Sequence, residues 1–270
     1  MPAERRLADV GWCWDGQGIN GTWAPSIFGA GEGTRWFGLH RCCFMFHPNT
    51  ALAMEKLQDL AEVVCDVSKW DYVKTDFPGC TGLGAAVRNH HDGSIARKCR
   101  EAETVSRLAV DFPNLTGGFD DDLYGKIKTE QIRPAAYATV RTSLLSVCPR
   151  LKLWGVVYSH ELKAENWAGF ADLLDVVNLW VWESKNLFYV DEYIEQCRAL
   201  FPGKPIVAGC YLRDFTILDA VPMDRLEFQW DRVRHHVRAG TVAGFSILGG
   251  FLIDLHEPQA RWVRDFIAAY

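Results

Sequence analysis

Three adjacent aspartates give the sharpest chemical signal in the sequence. Asp120, Asp121 and Asp122 follow a close-packed stretch in the segment GGFDDDLYG. Side chains alternate along a strand, so with Phe119 facing the helices, Asp120 and Asp122 would face inward and Asp121 outward. A turn and a helix N-cap explain one or two aspartates at such a point. Three in a row predict a catalytic or ligand-binding role for the group.

Two glutamates are the candidate partners of these aspartates. Glu161 ends the apolar run LWGVVYSHE, and Glu183 ends the apolar run VVNLWVWE. Carboxyl pairs about 5 to 5.5 Å apart cleave glycosidic bonds with retention, and pairs about 6.5 to 9.5 Å apart cleave them with inversion. Neighbouring strands lie about 4.8 Å apart and alternate strands about twice as far, so either glutamate is a credible partner. The alternative for each is an N-cap contact or an ion pair with an arginine such as Arg213.

Aromatic and further polar side chains end the other apolar runs. The chain has 11 tryptophans in 270 residues. A sugar ring offers apolar C–H faces to aromatic planes and hydroxyls to carboxylates and imidazoles, so an acidic pocket lined by tryptophan suits a carbohydrate. The predicted substrate-binding residues are Trp14, Asp15, His40, Asp66, Trp70, His160, Trp182 and Tyr211. Because Trp12 and Trp14 share one strand face, as do Trp180 and Trp182, either pair is alternatively part of the core.

Eight short β-rich runs alternate with segments of helical spacing. Parallel strands joined by crossover helices have this pattern. The runs cover residues 9–15, 36–42, 61–67, 116–121, 153–161, 176–183, 205–212 and 242–249. Eight such strands close a barrel, so the sequence predicts an α/β fold with a single (β/α)8 TIM barrel domain over residues 1–270. An open doubly wound sheet is the rival fold, but the glycines after Trp14 lack the third glycine of a dinucleotide-binding turn.

The candidate residues all lie at the ends of predicted strands. In (β/α)8 barrels the active site lies at the carboxyl ends of the strands, so we expect these side chains to meet at one rim. The spacing between runs is excessive only between the third and the fourth. There, residues 74–93, with His90 and His91, predict a long loop that overhangs the rim.

The composition narrows the partners and the location. A net charge of −5 with scattered Lys and Arg gives no basic stripe for phosphates, so no nucleic-acid partner is expected. No window approaches about 18 apolar residues without a charge, and the first residues lack a signal-peptide core, so we expect no membrane association and a cytoplasmic location. Nine cysteines without a C-x-x-C pair fit a reduced compartment. The sequence leaves the oligomeric state open.

The spacing of the predicted strands and the carboxylates at their ends resemble those of (β/α)8-barrel glycoside hydrolases. In the α-amylase-like, α-galactosidase-like and α-fucosidase-like groups, an aspartate nucleophile ends strand 4, and the acid/base comes from strand 5 or strand 6. The resemblance implies a glycosidase in which Asp120, Asp121 or Asp122 is the nucleophile or base. It implies that Glu161 or Glu183 donates the proton, that no cofactor is needed, and that the substrate is a carbohydrate or glycoside.

Two other functions fit the same residues. One is a metal-dependent sugar isomerase, epimerase or aldolase. Its divalent metal would take oxygen and nitrogen ligands from His40, Asp66, Asp120, Asp122, His160 and Glu161. The other is a non-catalytic carbohydrate-binding barrel in which the acids are structural. Tyr211 stands near the end of strand 7, where the commonest glycosidase pattern has a glutamate, and this departure keeps both alternatives open.

Overall fold

A closed barrel of eight parallel strands forms the centre of the molecule. The computed structural model describes residues 5–15, 26–68, 70–75 and 86–270, with the backbone alone for 70–75 and 86–91. The barrel strands are β1 (Gly11–Asp15), β2 (Arg41–Phe44), β3 (Glu62–Asp66), β4 (Leu115–Asp120), β5 (Lys152–Tyr158), β6 (Val176–Trp180), β7 (Ile206–Tyr211) and β8 (Gly244–Leu248). Each strand pairs in parallel with the next, and β8 pairs with β1. This arrangement confirms the predicted α/β barrel.

Helices occupy the connections between the strands, as parallel pairing requires. They are α1 (Glu32–Trp36), α2 (Ala51–Lys56), α3 (Ile95–Asp111), α4 (Leu123–Thr129), α5 (Pro134–Leu144), α6 (Ala164–Trp167), α7 (Val190–Leu200), α8 (Met223–Ala239) and α9 (Glu257–Ala269). Short 3-10 turns cover Leu7–Asp9, Ser159–Glu161, Ala171–Leu173, Ser184–Tyr189 and Gly250–Leu252. Arg213–Asp214 pairs antiparallel with Asp219–Ala220. Within the described ranges, the structure has no helix with the length and apolarity needed to cross a membrane.

The second strand begins later than the sequence predicted. Residues 36–42 were expected to be a strand, but α1 ends at Trp36 and β2 begins only at Arg41. Gly38 has a φ of 71°, and a glycine in this left-handed conformation ends a helix readily. The apolar residues after Trp36 are therefore the end of a helix and a turn. As a consequence His40 precedes the amino end of β2, and the prediction that it lies at the carboxyl rim is wrong.

Strand structure occupies part of the segment predicted to be a long loop. Trp70–Thr75 pairs antiparallel with Ala86–His91, in a register that places Trp70 opposite His91. This pair follows the carboxyl end of β3, so it leaves the barrel on the rim where the site was expected. The predicted loop is therefore a strand over 86–91, while its residues 76–85 lie outside the described part of the chain, as do the side chains of Trp70, His90 and His91.

Large aromatic rings fill the inside of the barrel. Trp14 packs edge-on against Phe119 and Trp180, with ring centroids 5.0 and 5.5 Å apart, and Trp12 packs against Trp154 at 4.7 Å. Trp14 is only 4% exposed. Trp12 and Trp14 are thus core residues, which was the alternative left open for them. The burial of Trp14 argues against its predicted contact with substrate. Phe119 also faces inward, opposite to the predicted direction.

Gly209 makes room for one of these rings, and its replacement provides a test of the packing. A Cβ added there would overlap the indole of Trp180. We expect Gly209→Ala to lower the free energy of unfolding by about 1 to 3 kcal/mol, because overpacked cores must shift. Urea denaturation measures this value. The matched control is Gly125→Ala in α4, where the new methyl group meets nothing within 4 Å. Equal stabilities of the two variants would contradict the packing described here.

Candidate functional site

A cleft of about 670 Å³ opens at the carboxyl rim beside β4, β5 and β6. The strand ends and the turns after them contribute Tyr158, Ser159, His160, Glu161, Trp182 and Glu183 to its wall. Helix α4 and its N-cap, the 3-10 turn Ser184–Tyr189 and the first turn of α7 contribute Asp122, Gly125, Lys126, Thr129, Asn186 and Tyr193. Five of the predicted site residues therefore share one cleft.

Glu161 is held firmly in this cleft. It ends the 3-10 turn that follows β5, and its Oε2 accepts a hydrogen bond of 2.9 Å from the backbone N–H of Tyr158. Its backbone carbonyl accepts hydrogen bonds from Asn166 and Trp167. Burial raises the pKa of Glu161 to about 7, and the nearby charge of Asp122 acts in the same direction. A carboxyl group that is partly protonated at neutral pH suits a proton donor.

Asp122 lines the same cleft as Glu161 and stands at the start of α4. Its φ of 50° is left-handed, so the residue has left the regular strand and the alternation predicted for it does not apply. Its Oδ1 accepts a hydrogen bond of 2.7 Å from the hydroxyl of Tyr158. Burial raises the pKa of Tyr158 well above its ordinary value, so this hydroxyl keeps its proton as a donor. The contact fixes the carboxylate at the wall of the cleft.

Asp121 lies buried next to this pair. Burial raises its pKa well above the ordinary range, and the charges of Asp122, Asp66 and Asp120 add to the effect. Burial also raises the pKa of Tyr211, with contributions from Asp122, Asp121 and Glu161. These mutual effects show that Asp121 and Tyr211 belong to the same acidic group as the cleft carboxyls. Burial and the neighbouring carboxylates therefore both favour the neutral form of Asp121.

Asp120 points away from this group. Its carboxylate pairs with Lys98 of α3 and accepts a hydrogen bond of 2.9 Å from Tyr137 of α5. Asp120 and Lys98 are both fully buried. The prediction that Asp120 faces the barrel axis is wrong, because Phe119 occupies the inward position and the alternation of β4 turns the next side chain toward the helices.

Asp15 and Asp66 are buried carboxyls that accept hydrogen bonds from neighbouring segments. Asp15 accepts hydrogen bonds from the backbone N–H of Thr34, at 2.8 Å, and from its hydroxyl. Burial raises the pKa of Asp15 to about 6. Asp66 accepts hydrogen bonds from the N–H and hydroxyl of Ser68 and from the N–H of Phe46. The carboxyl end of β1 is therefore held by the hydrogen bonds of Asp15, and that of β3 by those of Asp66. Neither residue lines the cleft.

The remaining predicted contacts lie around the cleft. Tyr158 stacks on His160 with ring centroids 5.5 Å apart, and Trp182 stacks on Phe215 at 5.3 Å. Burial lowers the pKa of His160, and the charge of Glu183 opposes the shift. Glu183 forms an ion pair of 2.5 Å with Lys185. Glu183 is thus engaged by a cation, whereas the carboxyl of Glu161 accepts its hydrogen bond from a backbone N–H.

The six ligands suggested for a divalent metal do not come together. His40 lies at the opposite end of the barrel, and Asp120 lies between helices. In the part of the chain that the structure describes, no three side chains of His, Cys, Asp or Glu are grouped so that they could hold a metal ion. The predicted donor set therefore does not fit a divalent metal.

Sequence reasoning missed Tyr158, Asn186 and Tyr193 as residues of the cleft. Tyr158 is the last residue of β5, and the sequence offered this signal, because polar ends of strands were the selection rule and a tyrosine hydroxyl satisfies it. Asn186 and Tyr193 follow Glu183 in a 3-10 turn and the first turn of α7. Their position depends on how that turn folds over the rim, which the residue pattern does not reveal.

Comparison with known proteins supports the fold. No family model matches the sequence, and no curated protein matches it either. Among solved structures, a β-glucuronidase of Bacteroides uniformis has 10% identity and a TM-score of 0.59, over 90% of this chain and 30% of that chain. A chitinase of Chromobacterium violaceum has 11% identity and a TM-score of 0.53, over 95% and 99% of the two chains. The spore cortex-lytic enzyme SleL of Bacillus cereus has 11% identity and a TM-score of 0.51, over 97% and 75%.

These similarities define the class of fold. The chain is a (β/α)8 barrel and shares this fold with these three enzymes, so the predicted resemblance is confirmed for the fold. It spans about 30% of the length of the β-glucuronidase chain that it matches. At identities of 10–11% the likeness concerns the fold alone, and the chemistry has to be argued from the residues of the cleft.

Proposed function

We propose that this chain is a glycoside-cleaving enzyme that acts on a carbohydrate in the cleft beside β4, β5 and β6. Glu161 donates the proton, and Asp122 is the partner carboxylate. The observation that carries this proposal is that two carboxyl groups share one wall, while burial raises the pKa of Glu161 to about 7 and a tyrosine hydroxyl binds Asp122. A carboxyl group whose pKa is raised by burial suits the proton donor of an acid–base pair.

The proposed reaction divides the work between the two carboxyls. Glu161 transfers its proton to the glycosidic oxygen as the bond from that oxygen to the anomeric carbon breaks. Asp122 stabilises the positive charge that develops on the sugar, either by attacking the anomeric carbon or by removing a proton from an attacking water. The distance between the carboxyls decides between these two courses. Neither course needs a cofactor.

Neighbouring side chains position the pair and the sugar. The hydroxyl of Tyr158 orients Asp122, and the rings of Tyr158 and Trp182 meet edge to face at 5.6 Å and offer apolar surface to a sugar ring. Asp121 is a positioning residue in this scheme. Because burial raises its pKa, its neutral form is favoured beside Asp122 and Glu161.

The alternatives receive less support from the geometry. A metal-dependent isomerase, epimerase or aldolase needs a ligand set, and among the described residues no three of the suggested donors are grouped so that they could hold a metal ion. A purely binding barrel would give no reason for a buried carboxyl with a pKa near 7 in the wall of an open cleft. The glycosidase therefore accounts for more of the observed features.

The pH dependence of turnover tests the proposal. We expect the purified chain to hydrolyse members of a panel of aryl glycosides whose leaving groups need protonation, and kcat/KM to fall as the pH rises through about 7. The reason is that Glu161 acts in its protonated form, which prevails below its pKa and declines about tenfold per pH unit above it. The measurement is kcat/KM from pH 4 to 9, with denaturation midpoints at each pH as the control for folding. Absence of turnover on the whole panel, or a constant kcat/KM from pH 6 to 8, would refute the proposal.

A further inference from the structure

The cleft continues outward beyond the two carboxyls. Its wall follows α4 from Asp122 at the rim to Thr129 at the last turn of that helix. Seven residues of α-helix span about 10 Å, so the cleft is longer than the space between the reacting groups. Its volume of about 670 Å³ falls in the range of sites that enclose ligands larger than one sugar ring. The outer length therefore has room for more of the substrate.

Two tyrosines stand on the side of the cleft that α7 forms. Tyr193 lines the cleft from the first turn of α7. Tyr189 packs against it with ring centroids 6.5 Å apart, and it is 51% exposed. The nearby Phe188 is also half exposed, but its ring packs toward Phe228 of α8 at 5.0 Å. Of these three rings, the two of the tyrosine pair thus extend the surface of the cleft toward solvent.

We infer that the α7 side of the cleft is a second sugar-binding subsite in which Tyr193 and Tyr189 form the platform. The substrate is then an oligosaccharide or polysaccharide that runs from the two carboxyls past Tyr193 toward Tyr189, rather than a single sugar on a small leaving group. This inference rests on the proposed function and specifies its substrate class.

The chemistry of these rings suits successive sugar units. A tyrosine ring packs against the C–H face of a pyranose, while its hydroxyl bonds to the hydroxyls of the sugar. Asn186, in the same wall, offers an amide donor and acceptor for further hydroxyls. A large exposed aromatic side chain next to a cleft and continuous with it is typical of a ligand surface. Loss of one such ring contact corresponds to about two- to tenfold in affinity.

Binding measurements on an inactive variant test the subsite separately from turnover. In a Glu161→Gln background, gluco-, xylo-, manno- and N-acetylglucosamine oligosaccharides of two to six units are titrated by calorimetry. We expect affinity to rise with length for at least one series. Adding Tyr189→Ala should lower the affinity for the longest member about two- to tenfold, and less for the shortest. Tyr189→Phe should keep most of the affinity, because it keeps the ring.

The control is Phe188→Ala, which removes an equally exposed ring outside the proposed path. It should leave all affinities unchanged. Affinity that does not depend on length, or equal effects of Tyr189→Ala and Phe188→Ala, overturns the subsite. If the wild-type chain cleaves aryl glycosides in that case, the proposed function survives. If no series binds and no aryl glycoside is cleaved, both fail together.

Discussion

Replacing Glu161 by glutamine is expected to lower the cleavage of glycosides with poor leaving groups by about 10²- to 10⁴-fold, the usual contribution of a general acid. Glutamine keeps the shape of the side chain and can still accept the hydrogen bond from the backbone of Tyr158. It cannot donate a proton to the departing oxygen. The dinitrophenolate group of a dinitrophenyl glycoside departs without protonation, so the variant should retain much more of its activity on these substrates. Steady-state kinetics on a series of leaving groups measures the contrast.

The stability of this variant separates a chemical effect from unfolding. The pKa of Glu161 is raised from 4.5 to about 7 in the folded chain, so the native state binds more protons than the unfolded state between these values. Its contribution to stability therefore declines as the pH rises from about 4.5 to 7, and above pH 7 the buried charge costs on the order of 2 kcal/mol after solvent screening is allowed for. Glu161→Gln should equal or exceed the wild-type stability at pH 8.

Glu183→Gln decides between the two glutamates that the sequence could not distinguish. Glu183 is paired with Lys185 and lies in the same wall. If it were the acid, the dependence on the leaving group would appear in Glu183→Gln and not in Glu161→Gln. That result would reverse the assignment made here.

Much of the fold was accessible from the sequence because each parallel strand is a short apolar run with a defined end. The positions of β3 to β8 agree with their predicted runs within a few residues. The prediction of the second strand failed because Gly38 ends a helix inside an apolar stretch. Periodicity alone does not separate a buried helix end from a buried strand. This one shift moved His40 to the wrong end of the barrel.

The site was predicted in part for a similar reason. Glu161 and Asp122 lie at strand ends, and topology alone brings such ends together. The direction of Asp120 could not be predicted, because β4 is buried on both faces. Its apolar pattern does not alternate, so it does not show which side chains face the barrel axis. Its direction depends on Lys98, which reaches it from α3, 22 residues earlier in the chain. The sequence shows a lysine in a helix, but not that its amine is carried into the interior.

Lys98→Met is expected to be the most damaging single change outside the cleft. The amine of Lys98 and the carboxylate of Asp120 are both fully buried, and Tyr137 provides the other hydrogen bond to the carboxylate. Removing the cation leaves a buried negative charge without its partner, which costs about 3 to 5 kcal/mol. Urea denaturation at pH 7 should show this loss. The double variant Lys98→Met with Asp120→Leu should recover much of it, because an apolar pair often replaces a buried ion pair at little cost.

The pH dependence of the same variant shows whether Asp120 is the source of the loss. Burial already raises the pKa of Asp120, and Lys98 opposes that shift, so without Lys98 the carboxyl should take up a proton at a higher pH. Protonation removes the unpaired charge, and the stability gap to wild type should therefore narrow as the pH falls. The double variant should show no such narrowing. Because this pair lies between α3 and α5, the folded double variant should still cleave its substrate. Loss of turnover in that folded protein would place Asp120 in the reaction after all.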